Sequence, residues 1–203
     1  MVSIFQYIGQ DLISMVKDVC EFRKKYFRGY PYMYDAEYDP DYESRYISGY
    51  AEDKKSMLVV AKNEANEIVG VSTAMPLCSD SEILHDAKDH FLNIGVKLED
   101  VYYYGEVIIH PLHRRQGLAK KMYQLHEEQS KKWGYTHACI ATVIRDLNDP
   151  RKPDNYLSTD EYWPKLGFSR MSFKVNYEYP TILENGESQH SSNPFAFWIK
   201  RFA

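Results

Sequence analysis

Apolar positions along the chain recur in two rhythms, one helical and one extended. Leu12, Met15, Val16, Val19 and Phe22 fall at helical spacing behind Asp11, which the pattern makes the N-cap. That helix is expected to stop near Gly29-Tyr30-Pro31, where glycine and proline both disfavour continuation. A second short helix is predicted after Pro40, with Tyr42, Tyr46 and Tyr50 at every fourth position on one face. Met57 to Ala61 and Ile68 to Ala74 read as strands of a hairpin joined by the polar stretch 62–67. Residues 81–93 suit an exposed helix, and Val101 to Ile109 a β-branched and aromatic strand. Gly117 to Trp133 is the clearest helix, with Leu118, Met122, Leu125 and Gln129 on one stripe and Gly134 placed to end it. Ala138 to Ile144 is uninterrupted apolar sequence, as in a strand buried on both faces. A short helix around Asp160 to Leu166 and strands near 168–177 and 195–201 complete the pattern. Two helices, a hairpin, then strand–helix–strand–helix–strand predict an α/β fold: a mixed central β-sheet flanked by helices, in a single domain over residues 1–203.

Composition narrows the classes. With 203 residues and 44% apolar content, one core can form without staples. The three cysteines, Cys20, Cys78 and Cys139, are odd in number and widely spaced, which fits a reducing compartment better than a disulfide framework. A net charge of −4 weighs against nucleic acid as a partner. No apolar run nears the roughly 18 residues of a membrane helix, so no membrane partner is expected. The start lacks a basic stretch followed by an apolar one, and the expected location is cytoplasmic. His110 and His113 flank one turn, but the histidines form no ligand set, and no metal is predicted.

One junction carries chemistry. The strand ending at Ile109 runs through His110-Pro111 into a turn with Arg114, Arg115 and Gly117, and a long helix begins at once. A helix start presents unpaired N–H groups and the positive end of the macrodipole, which together attract anions. Gly117 lets backbone approach a phosphate, Ala119 keeps the first turn slim, and the two arginines add bidentate donors.

This junction resembles the central motif of the GCN5-related N-acetyltransferases (GNAT), a strand ending Val-x-Pro followed by Arg/Gln-x-x-Gly-x-Gly/Ala at a helix start. Ile109-His-Pro111 and Arg114-Arg-Gln-Gly117-Leu-Ala119 match it. A second family element, an aromatic helix ending Lys-Leu-Gly-Phe, is matched by Tyr162-Trp-Pro-Lys-Leu-Gly-Phe168. The paired motifs cover residues 101–177, the acetyl-CoA-binding core, while 1–55 form a two-helix N-terminal part without a specific motif.

The resemblance implies acetyl transfer from acetyl-CoA, as co-substrate, to a primary amine by direct attack in a ternary complex. It implies that the amides of Arg115, Gln116, Gly117, Leu118 and Ala119 hold the pyrophosphate, with the Arg114 and Arg115 side chains nearby. The backbone of Ile108 and Ile109 pairs with the pantetheine arm as an added strand, and the thioester lies where the 101–109 and 138–144 strands splay apart. An amine of pKa near 10.4 costs about 4–5 kcal/mol to deprotonate at pH 7, so a base helps. Glu106, just before the cofactor-binding residues, is the candidate base. Tyr162 is the candidate acid for the departing thiolate, because Trp163 stands where family members often carry the tyrosine. The Tyr- and carboxylate-rich stretch 29–43, in the resembling fold, walls the acceptor pocket and suits a cationic acceptor.

The acceptor, a small molecule or a peptide amine, stays open, as does the oligomeric state. Two other readings compete: a catalytically silent acyl-CoA-binding sensor or scaffold, and a nucleotide- or nucleic-acid-binding domain. The last lacks both the Gly-x-x-x-x-Gly-Lys-Ser/Thr pattern and a basic excess.

Overall fold

A computed structural model of the chain describes residues 2–79 and 81–203, with backbone alone at residue 40 and residues 81–86. The strands are β1 (Ser3–Ile8), β2 (Met57–Lys62), β3 (Ile68–Pro76), β4 (Val101–Ile109), β5 (His137–Val143), β6 (Ser169–Ile182) and β7 (Ser188–Arg201). The helices are α1 (Val16–Phe27), α2 (Pro40–Tyr50), α3 (Ser81–Asn93) and α4 (Leu118–Lys132). All seven strands join one sheet in the order β1-β2-β3-β4-β5-β7-β6. Only β4 and β5 pair in parallel, as a strand–helix–strand crossover through α4 demands; the other pairs are antiparallel.

Helices cover both faces. Val19 and Phe22 of α1, Ile47 of α2 and Phe91 of α3 pack with Leu58, Val71, Tyr103 and Phe197 on one face. Met122 of α4 meets Met57, Val59 and Val69 on the other, where Tyr123 joins Tyr102, Tyr104, Trp163 and Trp198. Burial on both faces explains why β2, β3 and β5 read as continuous apolar runs.

Several expectations change. The chain before residue 9 is strand β1, an edge strand whose alternation was too short to stand out. Asp11 is not a cap: it lies inside a 3-10 turn, Gly9–Met15, and α1 starts only at Val16. The cap that does form is Asp39, whose side chain accepts from the Tyr42 amide at the start of α2. Of the expected α4 stripe, Met122 is buried and Leu118 and Leu125 pack half-buried against it, while the deepest positions also include Tyr123, His126 and Ser130, so the buried face is wider than expected and extends past Gln129. Around Asp160 the chain makes two short 3-10 turns, Thr159–Glu161 and Trp163–Leu166, separated at Tyr162. Helix 81–93 forms as expected, although Ala87 and Phe91 are buried. The last two strands run 14 residues each and form a hairpin, with β7 inserted between β5 and β6.

Candidate active site

The site begins with a fault in β4. Thr73 pairs with Glu106 but Ala74 pairs with Tyr104, leaving Gly105 as an extra residue. An extra residue inverts the side-chain alternation. Before it, Val101 and Tyr103 face α1 and α2; after it, Ile108 faces that side while Val107 and Ile109 face α4. Glu106 is therefore turned toward α1. Glycine leaves room at 105, where a Cβ would run into the Tyr50 hydroxyl and lie 2.9 Å from Thr73 Oγ1.

On that side Glu106 meets a buried arginine. Arg23 of α1 donates Nε to Glu43 Oε2 at 2.8 Å and Nη1 to Glu106 Oε1. Its guanidinium carbon lies 4.6 Å from the Tyr46 ring centre and 5.0 Å from that of Phe27. Tyr34 donates its hydroxyl to Glu43 Oε1 at 2.7 Å. Glu43 is fully buried, and Glu106 keeps 13% of its side chain exposed. Its second oxygen, Oε2, has no hydrogen-bond partner. Burial raises the Glu106 pKa against the opposing pull of Arg23; Glu43 adds to the rise, and a hydrogen bond with the Tyr46 side chain works against it. A buried carboxylate held above its usual range is equipped to accept a proton.

Glu106 lines a cavity of about 150 Å³ whose walls include Tyr32, Tyr46, Tyr103, Tyr179 and Phe195. The 29–43 stretch thus supplies Tyr32, Tyr34 and Tyr42 to this wall. Arg145 fixes it there, donating to the carbonyls of Pro31 and Tyr32, to Asn193 Oδ1 and to the Tyr179 hydroxyl. The loop that follows β5 is tied beside it, through Arg151 to the Ile182 carbonyl and the Tyr156 ring against Tyr30.

The cavity adjoins an opening in the sheet. β4 and β5 pair from Val101–His137 to Tyr104–Ile140 and then part, so among the described residues Gly105 to Ile109 have no paired strand on the β5 side. Beyond Ile109 the turn forms as a 3-10 segment, Pro111–His113, capped by the His110 side chain. Arg115 and Gly117 both take left-handed backbone, at φ 60° and 78°. No side chain caps α4, and a Cβ at Gly117 would meet nothing within 4 Å. The first-turn amides therefore face open space, which fits a phosphate cradle. Arg114 Nε is folded back onto the Ile109 carbonyl at 3.0 Å, and Gln116 Nε2 onto the Leu112 carbonyl at 2.9 Å. The His110 pKa is lowered, first by burial and then by its neighbours His113, Lys25 and Arg114. A positive field at the turn suits an anionic ligand.

The family model for the Acetyltransferase (GNAT) family matches residues 16–153. The chain belongs to this family. GNAT acetyltransferases use acetyl-CoA as co-substrate, and solved structures of such enzymes share the fold. Mosquito arylalkylamine N-acetyltransferase like 5b is similar at TM-score 0.62 and 17% identity, over 98% of this chain and 100% of its own. A GNAT acetyltransferase of Staphylococcus aureus Mu50 is similar at TM-score 0.59 and 14% identity, over 100% of both chains. The ribosomal-protein-S18-alanine N-acetyltransferase of Escherichia coli is similar at TM-score 0.56 and 13% identity, over 100% of this chain and 95% of that one. No curated protein sequence matches the chain. Among the described residues, no group of three or more His, Cys, Asp or Glu could hold a metal, and no helix is long and apolar enough to cross a membrane.

Within this GNAT fold the candidate residues separate into two groups. Glu106, Ile108, Ile109 and the 114–119 turn lie along one strand and its exit. Tyr162 stands apart: it is half-buried, its ring 5.3 Å from Trp163, and it is not among the residues lining the Glu106 cavity. It does reach the buried Tyr123 electrostatically, as does Tyr32 from the cavity wall. Arg23, Glu43 and Tyr123 were missed from sequence. Arg23 reads as one more polar residue of a surface helix; the only signal was its place one residue from Phe22 on the apolar stripe.

Proposed function

We propose that the chain transfers an acetyl group from acetyl-CoA to a primary amine seated in the aromatic cavity, by direct attack in a ternary complex. The observation that carries this reading is that Glu106, raised in pKa by burial, lines the aromatic cavity beside the parting of β4 and β5. Bound acetyl-CoA supplies an electrophilic thioester carbonyl and a thiolate leaving group. The amides of Arg115, Gln116, Gly117, Leu118 and Ala119 hold its pyrophosphate, with the Arg114 and Arg115 side chains nearby. The unpaired edge at Ile108 and Ile109 pairs with its pantetheine arm. Glu106 takes the amine proton, and Tyr162 is the donor to the departing sulfur. Three free thiols, at Cys20, Cys78 and Cys139, suit a reducing compartment, and we place the enzyme in the cytoplasm.

One observation favours the silent acyl-CoA-binding alternative: Tyr162 lies outside the cavity of Glu106. Turnover separates the two readings. Glu106→Gln is expected to lower it about 10²–10⁴-fold at neutral pH with CoA affinity little changed. The deficit should shrink as pH approaches the pKa of the amine, while a Tyr162→Phe deficit persists there. Wild-type rates in Glu106→Gln, with chemistry rate-limiting, remove Glu106 from the mechanism. Gly117→Glu places an anion in the cradle and should abolish calorimetric CoA binding; unchanged affinity in the folded variant sinks the cofactor assignment.

A further inference from the structure

Tyr162 lies outside the Glu106 cavity, and a second tyrosine stands at the parting of β4 and β5. Tyr123 of α4 is 6% exposed. Its ring is stacked on that of Tyr104 at 5.6 Å and set edge-on to that of Trp163 at 5.3 Å. Tyr104 is the last residue of β4 to pair with β5, opposite Ile140. Trp163 in turn lies 5.3 Å from the Tyr162 ring. Tyr123 therefore bridges the end of the paired sheet and the segment that carries Tyr162.

Two further relations place this side chain. Tyr123 follows Ala119 by four residues, so it sits on the same face of α4, about 6 Å further along the helix than the first-turn amides. The open edge of β4 from Ile109 back to Gly105 thus has Ala119 near one end and Tyr123 near the other. Tyr32, on the wall of the Glu106 cavity, acts on Tyr123 electrostatically, as Tyr162 does. Tyr32 and Tyr123 belong to opposite faces of the sheet, and they approach each other where the two strands have parted.

Among the described residues no group bonds the Tyr123 hydroxyl. Burying a hydroxyl without a partner is unfavourable, and a ligand atom that accepts from it removes that cost. Burial, helped by Tyr32, Tyr162 and Tyr104, raises its pKa well above the ordinary tyrosine value. The hydroxyl therefore keeps its proton at any working pH, which makes it a standing donor and not a proton source.

We infer that Tyr123 is a further catalytic residue, whose hydroxyl donates a hydrogen bond to the sulfur of CoA and holds the thiolate as it departs, beside the proton donor Tyr162. This rests on the acetyltransferase reading above. In the step, Glu106 takes one amine proton, the nitrogen bonds the acetyl carbon, and the carbon–sulfur bond breaks with its electron pair on sulfur. Tyr162 gives sulfur a proton, and the second amine proton, lost as the amide forms, restores Tyr162 through water. The Tyr123 proton is shared with sulfur and not transferred.

The test needs no acceptor. It uses the intact chain and CoA labelled with carbon-13 at the carbon bonded to sulfur, whose NMR shift follows ionisation of the bound thiol. Tyr123→Phe should raise the pKa of that thiol by about one to two units, the scale of a lost hydrogen bond to a charged atom. Calorimetric affinity for CoA in its thiol form should stay within about threefold, because a neutral sulfur is a weak acceptor. A purely structural role would not produce that split. An unshifted titration in folded Tyr123→Phe with CoA bound overturns the inference and leaves the acetyltransferase reading standing. Tyr104→Phe, on the ring stacked against Tyr123, is the packing control; an equal shift there assigns the effect to the stack and also overturns the inference. Should Tyr123→Phe fail to fold, 3-fluorotyrosine at the same position presents a more acidic hydroxyl and should lower the thiol pKa, and a rise or no change overturns the inference. Wild-type protein that binds no CoA overturns the acetyltransferase reading and this inference with it.

Discussion

Arg23 and Glu106 lie 83 residues apart in sequence, and the guanidinium of one donates to the carboxylate of the other. A residue of α1 thus sets the charge of a residue on β4. Glu43 enters the same balance from α2, since it competes for the guanidinium and its own charge pushes the Glu106 pKa up. Three elements, α1, α2 and β4, therefore converge on one proton.

The arrangement predicts opposite effects from its two supports. Glu43→Gln removes a charge that raises Glu106, so the acid limb of kcat should move to lower pH. Arg23→Gln removes the charge that lowers it, so the limb should move to higher pH. The latter also leaves Glu43 buried and unpaired, which costs about 3–5 kcal/mol of stability. Profiles of kcat against pH check both; shifts of the same sign would show that Glu106 does not govern that limb.

Gly105→Ala is expected to cost about 1–3 kcal/mol, the range for overpacking a filled core. Its methyl would run into the Tyr50 hydroxyl and Thr73. Relief by moving the strand would turn Glu106 away from Arg23, so activity should fall with stability. Tyr50→Phe removes the nearer oxygen, so the loss from Gly105→Ala should be smaller in that background. Urea denaturation of the two single variants and the double variant measures the coupling.

Why part of this site was legible follows from the range of the interactions that make it. The 114–119 turn is local: a strand end, a glycine and a helix start within nine residues, all visible in the pattern. The α4 boundaries were equally local, and Gly134 does follow the helix, at φ 89°. The face of Glu106 was not legible, because it depends on the extra residue at Gly105, and that bulge exists only through pairing with β3. Arg23 was hidden for the same reason: its burial comes from Glu43, Tyr46 and Glu106, none of them on α1. The polar part of the buried face of α4 was missed because His126 and Ser130 are polar, and periodicity counts apolar residues. Ser130 donates its hydroxyl back to the Glu127 carbonyl, and His126 is held there by a hydrogen bond across 54 residues, between its Nε2 and Ser72 Oγ.

That last pair predicts how stability depends on pH. His126 is fully buried, with Nε2 2.9 Å from Ser72 Oγ. Burial holds its pKa down to about 3, from 6.5 in the unfolded chain. The folded protein therefore leaves His126 neutral over a range in which the unfolded chain binds a proton there. Protons then favour unfolding, so this contribution is intact above about pH 6.5 and is lost as pH falls toward 3. Each unit within that window is worth about 1.4 kcal/mol. Going from pH 7.5 to 5 crosses about 1.5 units of it, and the wild type should lose roughly 2 kcal/mol through this group. His126→Gln keeps a polar atom within reach of Ser72 and has nothing to titrate. It should be less stable at pH 7.5, because the side chains differ in shape, yet lose about 2 kcal/mol less than the wild type between the two pH values. Urea midpoints at pH 7.5 and 5 for both proteins provide the comparison. Parallel losses would show that some other group, and not the histidine behind the sheet, takes up the proton on unfolding.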